Sequence, residues 1–322
     1  MRIRRRARNG PGSSGPGTQL DWARTGVDGR MRSPTLGYAH WIVGLVCTLA
    51  LAGSLSEAAE LKQDALKSWA EFVQGVNSQM RGRLETGGTF LWVDEVPDRG
   101  RRVRAGKILV SPGATHIPRP VPAGLIHDWI GAVFFPNTKL EDVLAVVRDY
   151  DHYQDFYKPS VVASKALPAL GEDDRFLMLL VNKEVVAKSA LDSEYQACYQ
   201  QVDAKRWYAI AYSTRIQEIR DFGQRGEEKL PPDGGSGYIW RLYSIVRFGE
   251  RDGGVYVELE AMALSRDIPV EVRWAIDPIV RRVSRNSLST SLRQMREAVY
   301  SKAGKASSPA VSTCASLSYP AK

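Results

Sequence analysis

The sequence predicts an α+β fold in which a curved antiparallel sheet wraps a long C-terminal helix. Three observations support this prediction. Residues 277–300 place their apolar side chains on one side of a helical projection. Residues 160–265 contain successive strand-like segments joined by short links rich in glycine, aspartate and proline, which is typical of antiparallel strands. Two short helices lie between a first strand and this series, so helices and strands are segregated along the chain.

The first 30 residues are predicted to form a disordered leader. They are rich in arginine, glycine, proline and serine, and they have no apolar period. Met31 offers a second start for translation. Initiation there would leave the leader untranslated.

Residues 31–58 have the layout of a secretory signal peptide. Arg32 supplies a positive start, an apolar run covers residues 41–52, and small residues follow it. The apolar run is shorter than the roughly 20 residues that a membrane-spanning helix needs. We therefore expect cleavage and export to the periplasm or the extracellular space. A membrane anchor retained over residues 38–59 is the alternative.

Residues 59–122 are predicted to form a helix, two short strands and a linker. Apolar residues recur at helical spacing over residues 61–80. Short strands are expected near residues 89–93 and 107–110. Four prolines between residues 112 and 122 predict a linker, so we expect the principal domain to begin near residue 123.

The principal domain is predicted to extend from residue 123 to residue 302. It opens with a strand over residues 123–135, and a Pro-Asn-Thr sequence then breaks this strand and starts the two short helices. The following strands are expected over residues 160–167, 175–182, 187–201, 207–219, 238–248 and 254–265. Residues 303–322 are expected to form a disordered tail.

Charge and composition exclude several classes of partner. Six of the eight net positive charges lie in residues 1–32, which hold eight arginines against Asp21 and Asp28. The remaining chain is nearly neutral and has no basic stripe, so we expect no nucleic-acid partner. The histidines and cysteines lack metal-ligand spacing, and there is no glycine-rich phosphate loop. We expect no metal and no cofactor.

The order of elements resembles the START-like or SRPBCC superfamily, also called the helix-grip fold, which includes polyketide cyclase/dehydrase-like and lipid-transfer domains. The resemblance is carried by residues 125–161, the strand series and the closing helix, and it covers residues 123–302. It implies a deep hydrophobic cavity between the sheet and the last helix, which binds a lipid, sterol, polyketide or other apolar molecule. It implies no shared catalytic set.

Alternation within the strands predicts which side chains line this cavity. Successive residues of a strand point to opposite faces of the sheet, and we expect the more apolar set of each strand to face the helix. The strand residues expected in the cavity are Tyr208, Tyr212, Trp240, Leu259 and Ala261.

Three charged residues alternate with these apolar sets. If Arg241, Glu258 and Glu260 point away from the helix, they form a charge ladder with cross-strand partners on the outer face. We favour this arrangement because burying unpaired charges is costly. The alternative places the three residues inside, as a polar anchor for the head group of a ligand.

The last helix is expected to begin at Asp277, whose carboxylate can cap the first turn, with Pro278 at the first helical position. Serines follow the centre of its apolar side, where a packed helix would carry large apolar residues. Either the serines line the cavity, or they let the sheet approach closely. The helix residues expected in the cavity are Ser284, Ser287, Leu288, Ser291 and Met295.

Two histidines are weak candidates for catalysis. His152 lies among aspartates after the first short helix, and a carboxylate beside it would form an acid/base pair at a cavity mouth. We favour the alternative, in which the neighbouring aromatic residues pack on the sheet and the charges face water. His127 is a lone histidine in an apolar strand, which is typical of a core or rim residue.

Three functions remain open at this point. We favour an exported, non-catalytic protein that carries or sequesters a lipid or another hydrophobic small molecule, with transient membrane contact as an additional possibility. The second is a polyketide cyclase- or hydrolase-like enzyme that uses the same cavity. The third is an envelope interaction module with a vestigial cavity. The sequence does not define an oligomeric state.

Overall fold

The computed structural model describes residues 59–113, 117–181 and 190–302. These residues belong to one compact unit. The predicted leader, signal peptide and C-terminal tail lie outside the described residues.

The described strands are antiparallel to their neighbours. They are β1 (Ala59–Glu60), β2 (Leu109–Pro112), β3 (Arg119–Val121), β4 (Gly124–Pro136), β5 (Val161–Leu170), β6 (Asp173–Val181), β7 (Ala190–Gln201), β8 (Arg206–Arg220), β9 (Glu228–Lys229), β10 (Gly234–Gly235), β11 (Arg241–Arg251) and β12 (Gly254–Arg266). The main sheet has the order β2-β4-β12-β11-β8-β7-β6-β5, with β3 beside β4 and β9 beside β8.

The helices precede, interrupt and follow this sheet. They are α1 (Gln63–Leu84), α2 (Pro97–Arg104), α3 (Leu140–Val147), α4 (Tyr153–Phe156) and α5 (Val270–Lys302), with short 3₁₀ turns at Trp92–Asp94 and Tyr150–His152. The strands predicted in the principal domain correspond to β4, β5, β6, β7, β8, β11 and β12. The predicted α+β, helix-grip layout is confirmed.

Both faces of the sheet are covered. We call the face against α5 the inner face, where Val133 and Phe135 of β4 share a buried core with Leu292 of α5. We call the opposite face the outer face, where Ile130 of β4 shares a second core with Trp69 of α1. The two cores alternate along the same strand because successive side chains point to opposite sides.

A buried carboxylate holds the N-terminal segment on the outer face. Glu258 of β12 is fully buried and accepts hydrogen bonds from the backbone N–H groups of Trp92 and Val93, each at 2.8 Å. The strand predicted over residues 89–93 is therefore absent, because these amides bond to a side chain rather than to a neighbouring strand. The helix α2 lies between the two regions where short strands were predicted, and it begins at Pro97.

The C-terminal half of α5 packs closely on the inner face of the sheet at Gly131. A Cβ atom on Gly131 of β4 would lie 2.6 Å from Leu292 Cδ1 and 3.3 Å from Leu288 Cδ2. The helix approaches the sheet so closely here that a side chain would not fit without displacing these leucines.

The last helix begins earlier than predicted, at Val270 rather than at Asp277. Pro278 lies inside the helix, where it cannot donate to the carbonyl of Trp274. Trp274 is 80% exposed, so solvent can hydrate that carbonyl on the open side of the helix. The local capping signal was therefore outweighed by helix-compatible residues upstream of it.

We expect a glycine-to-alanine substitution to change the free energy of unfolding in opposite directions at two positions. Gly131→Ala should lower the free energy of unfolding by about 1–3 kcal/mol, because the added methyl group overpacks the contact with Leu292. Gly75→Ala should raise it by up to about 1 kcal/mol, because Gly75 is an exposed residue within α1 with no atom near its absent Cβ. Urea unfolding measures both. Equal shifts would show that α5 does not press on Gly131.

Candidate functional site

The two halves of α5 are packed differently. In the second half, Leu288, Leu292, Met295, Ala298 and Val299 are buried. Within the described stretch 271–287, no side chain is fully buried, and the apolar residues Val272, Ile276, Val280 and Val283 are half-buried. The first half of the helix therefore contributes no fully buried side chain to a core.

Part of the inner face of the sheet is also incompletely buried. Strand register places Leu259 and Ala261 of β12 beside Val246 and Ser244 of β11, and Ser244 beside Ala211 of β8. All five residues are half-buried. They form a floor of mainly apolar side chains that the helix does not seal. This floor and residues 271–287 of α5 define the candidate site, which we call the inner groove.

Strand β7 places two buried polar side chains on the inner face of the sheet. Ser193 Oγ and Tyr195 OH are buried on the inner face of β7. Burial raises the pKa of the Tyr195 phenol, and a side-chain hydrogen bond with Ser193 partly offsets this rise. The Tyr195 ring stacks on Phe176, with 5.1 Å between ring centroids. The inner face thus offers two neutral hydroxyl groups beside an aromatic surface.

The first half of α5 contributes two further polar atoms. In the described part of the chain, Arg273 Nε and Asp277 Oδ1 are buried without a hydrogen-bond partner. Arg273 uses its Nη2 atom to bond Asp267, at 2.8 Å. A buried polar atom without a partner is costly, so these atoms are suited to pair with a polar group of a bound molecule.

His127 lies on the inner face of β4. Its Nε2 atom lies 2.9 Å from Ser265 Oγ on β12. Burial lowers the pKa of His127 to about 4, so the imidazole is neutral at pH 7. A histidine with this pKa is a weak base. The pair supplies a neutral hydrogen-bonding edge near the point where β12 leads into α5.

The structure divides the predicted strand residues between the two faces. Leu259 and Ala261 lie on the inner face, as predicted. The placement of Tyr208, Tyr212 and Trp240 toward α5 is wrong, because these residues belong to the core beneath α1 on the outer face. The prediction assumed that only one face is buried, whereas α1 covers the other face and makes it equally apolar.

The helix residues are also divided. Leu288 and Met295 are buried in the packed second half, and Ser291 is half-buried between them. Ser284 is half-buried one turn before Leu288, at the edge of the inner groove. The structure does not enclose Ser287 in a cavity, because this residue is exposed.

The predicted charge ladder lies on the outer face, so the alternative that placed it against α5 is wrong. It does not face water, however, because Glu258 is buried and Glu260 is only 13% exposed. Their partner is Arg247 of β11, at 3.1 Å and 2.9 Å respectively, and Arg241 pairs separately with Asp233. Sequence reasoning missed Arg247. The β11–β12 hairpin register, which places Arg247 opposite Glu258, would have identified it.

His152 lies at the surface. Its Nδ1 atom is 2.6 Å from Asp149 Oδ1, and Asp149 also pairs with Lys302 in the last turn of α5. The His152 side chain is 56% exposed. The predicted carboxylate partner of His152 is Asp149. The pair of Asp149 with Lys302 connects the end of α5 to the turn before α4, and His152 does not line the inner groove.

The described residues contain neither a metal-ligand cluster nor a membrane-spanning helix. Within residues 59–113, 117–181 and 190–302, no three His, Cys, Asp or Glu side chains are grouped so as to hold a metal ion. No helix in the same ranges has the length and apolar character needed to span a membrane.

Comparison with known proteins finds similarity at the level of fold. No family model and no curated protein matches the chain. Human STARD10 is similar with a TM-score of 0.42 and 11% identity, over 61% of this chain and 70% of that one. A STAR-related lipid transfer protein from Xanthomonas axonopodis has a TM-score of 0.38 and 16% identity, over 60% of this chain and 98% of that one.

An aromatase/cyclase is similar to the same extent. The Zhui aromatase/cyclase from Streptomyces sp. R1128 has a TM-score of 0.38 and 9% identity, over 56% of this chain and 99% of that one. At these low scores the similarity carries no argument about ligand or activity.

The pH dependence of stability should report on His127. Its folded-state pKa of about 4 lies below the ordinary 6.5, so the stability contributed by its neutral form is complete above pH 6.5 and is lost as pH falls toward 4. His127→Gln should therefore reduce the loss of unfolding free energy between pH 7 and pH 4, by about 2 kcal/mol. Urea unfolding across this range measures the change.

The adjacent residue provides an internal control. Burial raises the pKa of Asp128, on the outer face, to about 7, with Glu260 adding to the rise and Arg247 opposing it. A raised carboxyl pKa contributes stability below the ordinary 3.8 that is lost as pH rises through 7. Asp128→Asn should thus change the pH profile in the direction opposite to His127→Gln. The same sign for both variants would contradict these placements.

Proposed function

We propose that the protein binds a hydrophobic small molecule or lipid in the inner groove, as a non-catalytic carrier or sequestering protein. One observation carries this proposal. The first half of α5 contributes no fully buried side chain within residues 271–287, and the inner face of the sheet that α5 covers contains a half-buried apolar floor. An apolar molecule between the two surfaces would complete the core that the second half of the helix already has.

The energetics are adequate for binding. Burial of roughly 300 Å² of apolar ligand surface contributes about 7 kcal/mol at 25 cal/mol per Å². The loss of translational and rotational freedom opposes this gain. The buried hydroxyl groups of Ser193 and Tyr195 and the unpartnered buried atoms of Arg273 and Asp277 would orient a polar end of the ligand.

The proposal includes export. The layout of residues 31–58 supports cleavage of a signal peptide, which would place the mature protein in the periplasm or the extracellular space. In an aqueous compartment, a carrier lowers the free energy of an apolar molecule by removing its surface from water.

A hydrolase is the second candidate, because Ser265 and His127 lie within hydrogen-bonding distance on the inner face. The lowered pKa of His127 argues against it, since an imidazole with a pKa of about 4 is a weak base for the serine proton. We expect a fluorophosphonate probe to leave Ser265 unlabelled. Labelling of Ser265 that is abolished by His127→Gln would support the hydrolase instead.

The carrier proposal is tested first by extraction. The full chain, purified from cells, should release an apolar molecule into organic solvent, and native mass spectrometry should show its mass on the protein. The emptied protein should then take up Nile red and a fluorescent fatty acid. A protein that is empty on purification and takes up neither probe would overturn the proposal.

Two serines of α5 provide a matched pair of variants. Ser284 is half-buried at the edge of the inner groove, and Ser287 is exposed on the same helix. Ser284→Trp should fill the groove and weaken fatty-acid binding by at least about tenfold, whereas Ser287→Trp should change it less than about twofold. If Ser284→Trp fails to fold, Ala261→Phe on the floor replaces it. Equal binding by all variants would place the ligand elsewhere.

A further inference from the structure

A second pocket lies on the other side of the sheet. It has a volume of about 450 Å³ and opens between α1, the segment around Trp92–Arg99 and the end of β2. Arg247 and Glu260 form its floor, and Gln79, Arg83 and Glu95 contribute to its mouth. This volume lies within the range of small-molecule sites. The sheet separates the pocket from the inner groove.

The floor carries a buried guanidinium with a free donor. Arg247 is 1% exposed, and it donates from Nε to Glu258 and from Nη1 to Glu260. Its Nη2 atom is buried and has no hydrogen-bond partner among the described residues, and the same holds for Oδ1 of Asp128. An unpaired donor and an unpaired acceptor therefore lie in the same charged cluster on the outer face.

The charges of this cluster restrict the chemistry of a ligand. The charged side chains that line the pocket are Arg83, Arg99, Arg247, Glu95 and Glu260, and Glu258 pairs with Arg247 behind them. Three positive and three negative groups balance, so neither an anion nor a cation is favoured by net charge. A cation would leave the free donor of Arg247 unpaired. A hydroxyl group can accept from Arg247 and donate to a carboxylate at once.

The mouth of the pocket has the same mixed character. Arg83 and Arg99 both pair with Glu95, the latter at 3.0 Å between Nη1 and Oε2. These pairs neutralise one another in part while still presenting donors and acceptors at the entrance. Such a surface suits several hydroxyl groups on one molecule better than a single charged group.

We propose that this outer pocket binds a neutral polyhydroxylated molecule of the size of a monosaccharide or disaccharide. One hydroxyl accepts from Arg247 Nη2 and donates to Glu260, and others reach the paired side chains at the mouth. The site is independent of the apolar ligand proposed for the inner groove.

Glucose and trehalose are suitable probes, with citrate and putrescine as anionic and cationic comparisons. Each is titrated into the full chain to about 100 mM at constant ionic strength, and backbone amide shifts are followed by NMR. We expect at least one of the two sugars to shift amides in residues 76–83 and 111–113 with saturation. Absence of saturable shifts with both sugars, or tighter binding of citrate or putrescine at these residues, overturns the proposal.

Two exposed glutamines of α1 provide the matched variants. Gln79 borders the pocket and Gln74 does not. Gln79→Trp should raise the dissociation constant for the bound sugar by at least about tenfold, and Gln74→Trp by less than about twofold. Glu260→Gln, which removes the charged acceptor, should also weaken binding. Unchanged sugar affinity in folded Gln79→Trp and Glu260→Gln would overturn the assignment even if sugars bind.

Discussion

The buried carboxylate of Glu258 is the contact on which the two-sided architecture depends. A carboxylate without water must be matched by donors, and here Arg247 and the amides of Trp92 and Val93 supply them. Burial raises the pKa of Glu258, and these partners act against the rise. Because two of its donors belong to the chain before the principal domain, that segment cannot leave the sheet without breaking two hydrogen bonds to a charged group. The N-terminal helix is thereby part of the fold.

This arrangement explains which features the sequence could and could not predict. The strands and helices follow local periodicity and turn residues, and their order was sufficient for the helix-grip layout. The orientation of each strand was not, because Tyr208 on the outer face and Trp207 on the inner face are both buried. Alternation separates two sets of side chains but does not say which set meets α5 when both faces are covered. A bulge opposite Glu194 and Tyr195 shifts the alternation again within β8.

The residues of the inner groove could also be predicted only in part from the sequence. Alternation with charged residues was sufficient to place Leu259 and Ala261 on the inner face. Arg273 and Asp277 are distinguished only by buried atoms without partners, which sequence spacing does not report. The expected cap at Asp277 followed a sound local signal, and the upstream helix overrode it. Arg247 was recoverable, since the tight turn between β11 and β12 fixes the register that places it opposite Glu258.

The unequal packing of α5 has a consequence for local unfolding. Residues 288–299 share the core of the sheet, so their amides should exchange with solvent only when the whole unit opens. Residues 271–287 can separate from the sheet at much lower cost, because they expose little new apolar surface in doing so. One continuous helix thus contains a globally protected segment and a locally opening one, with the division near the leucines that rest on Gly131.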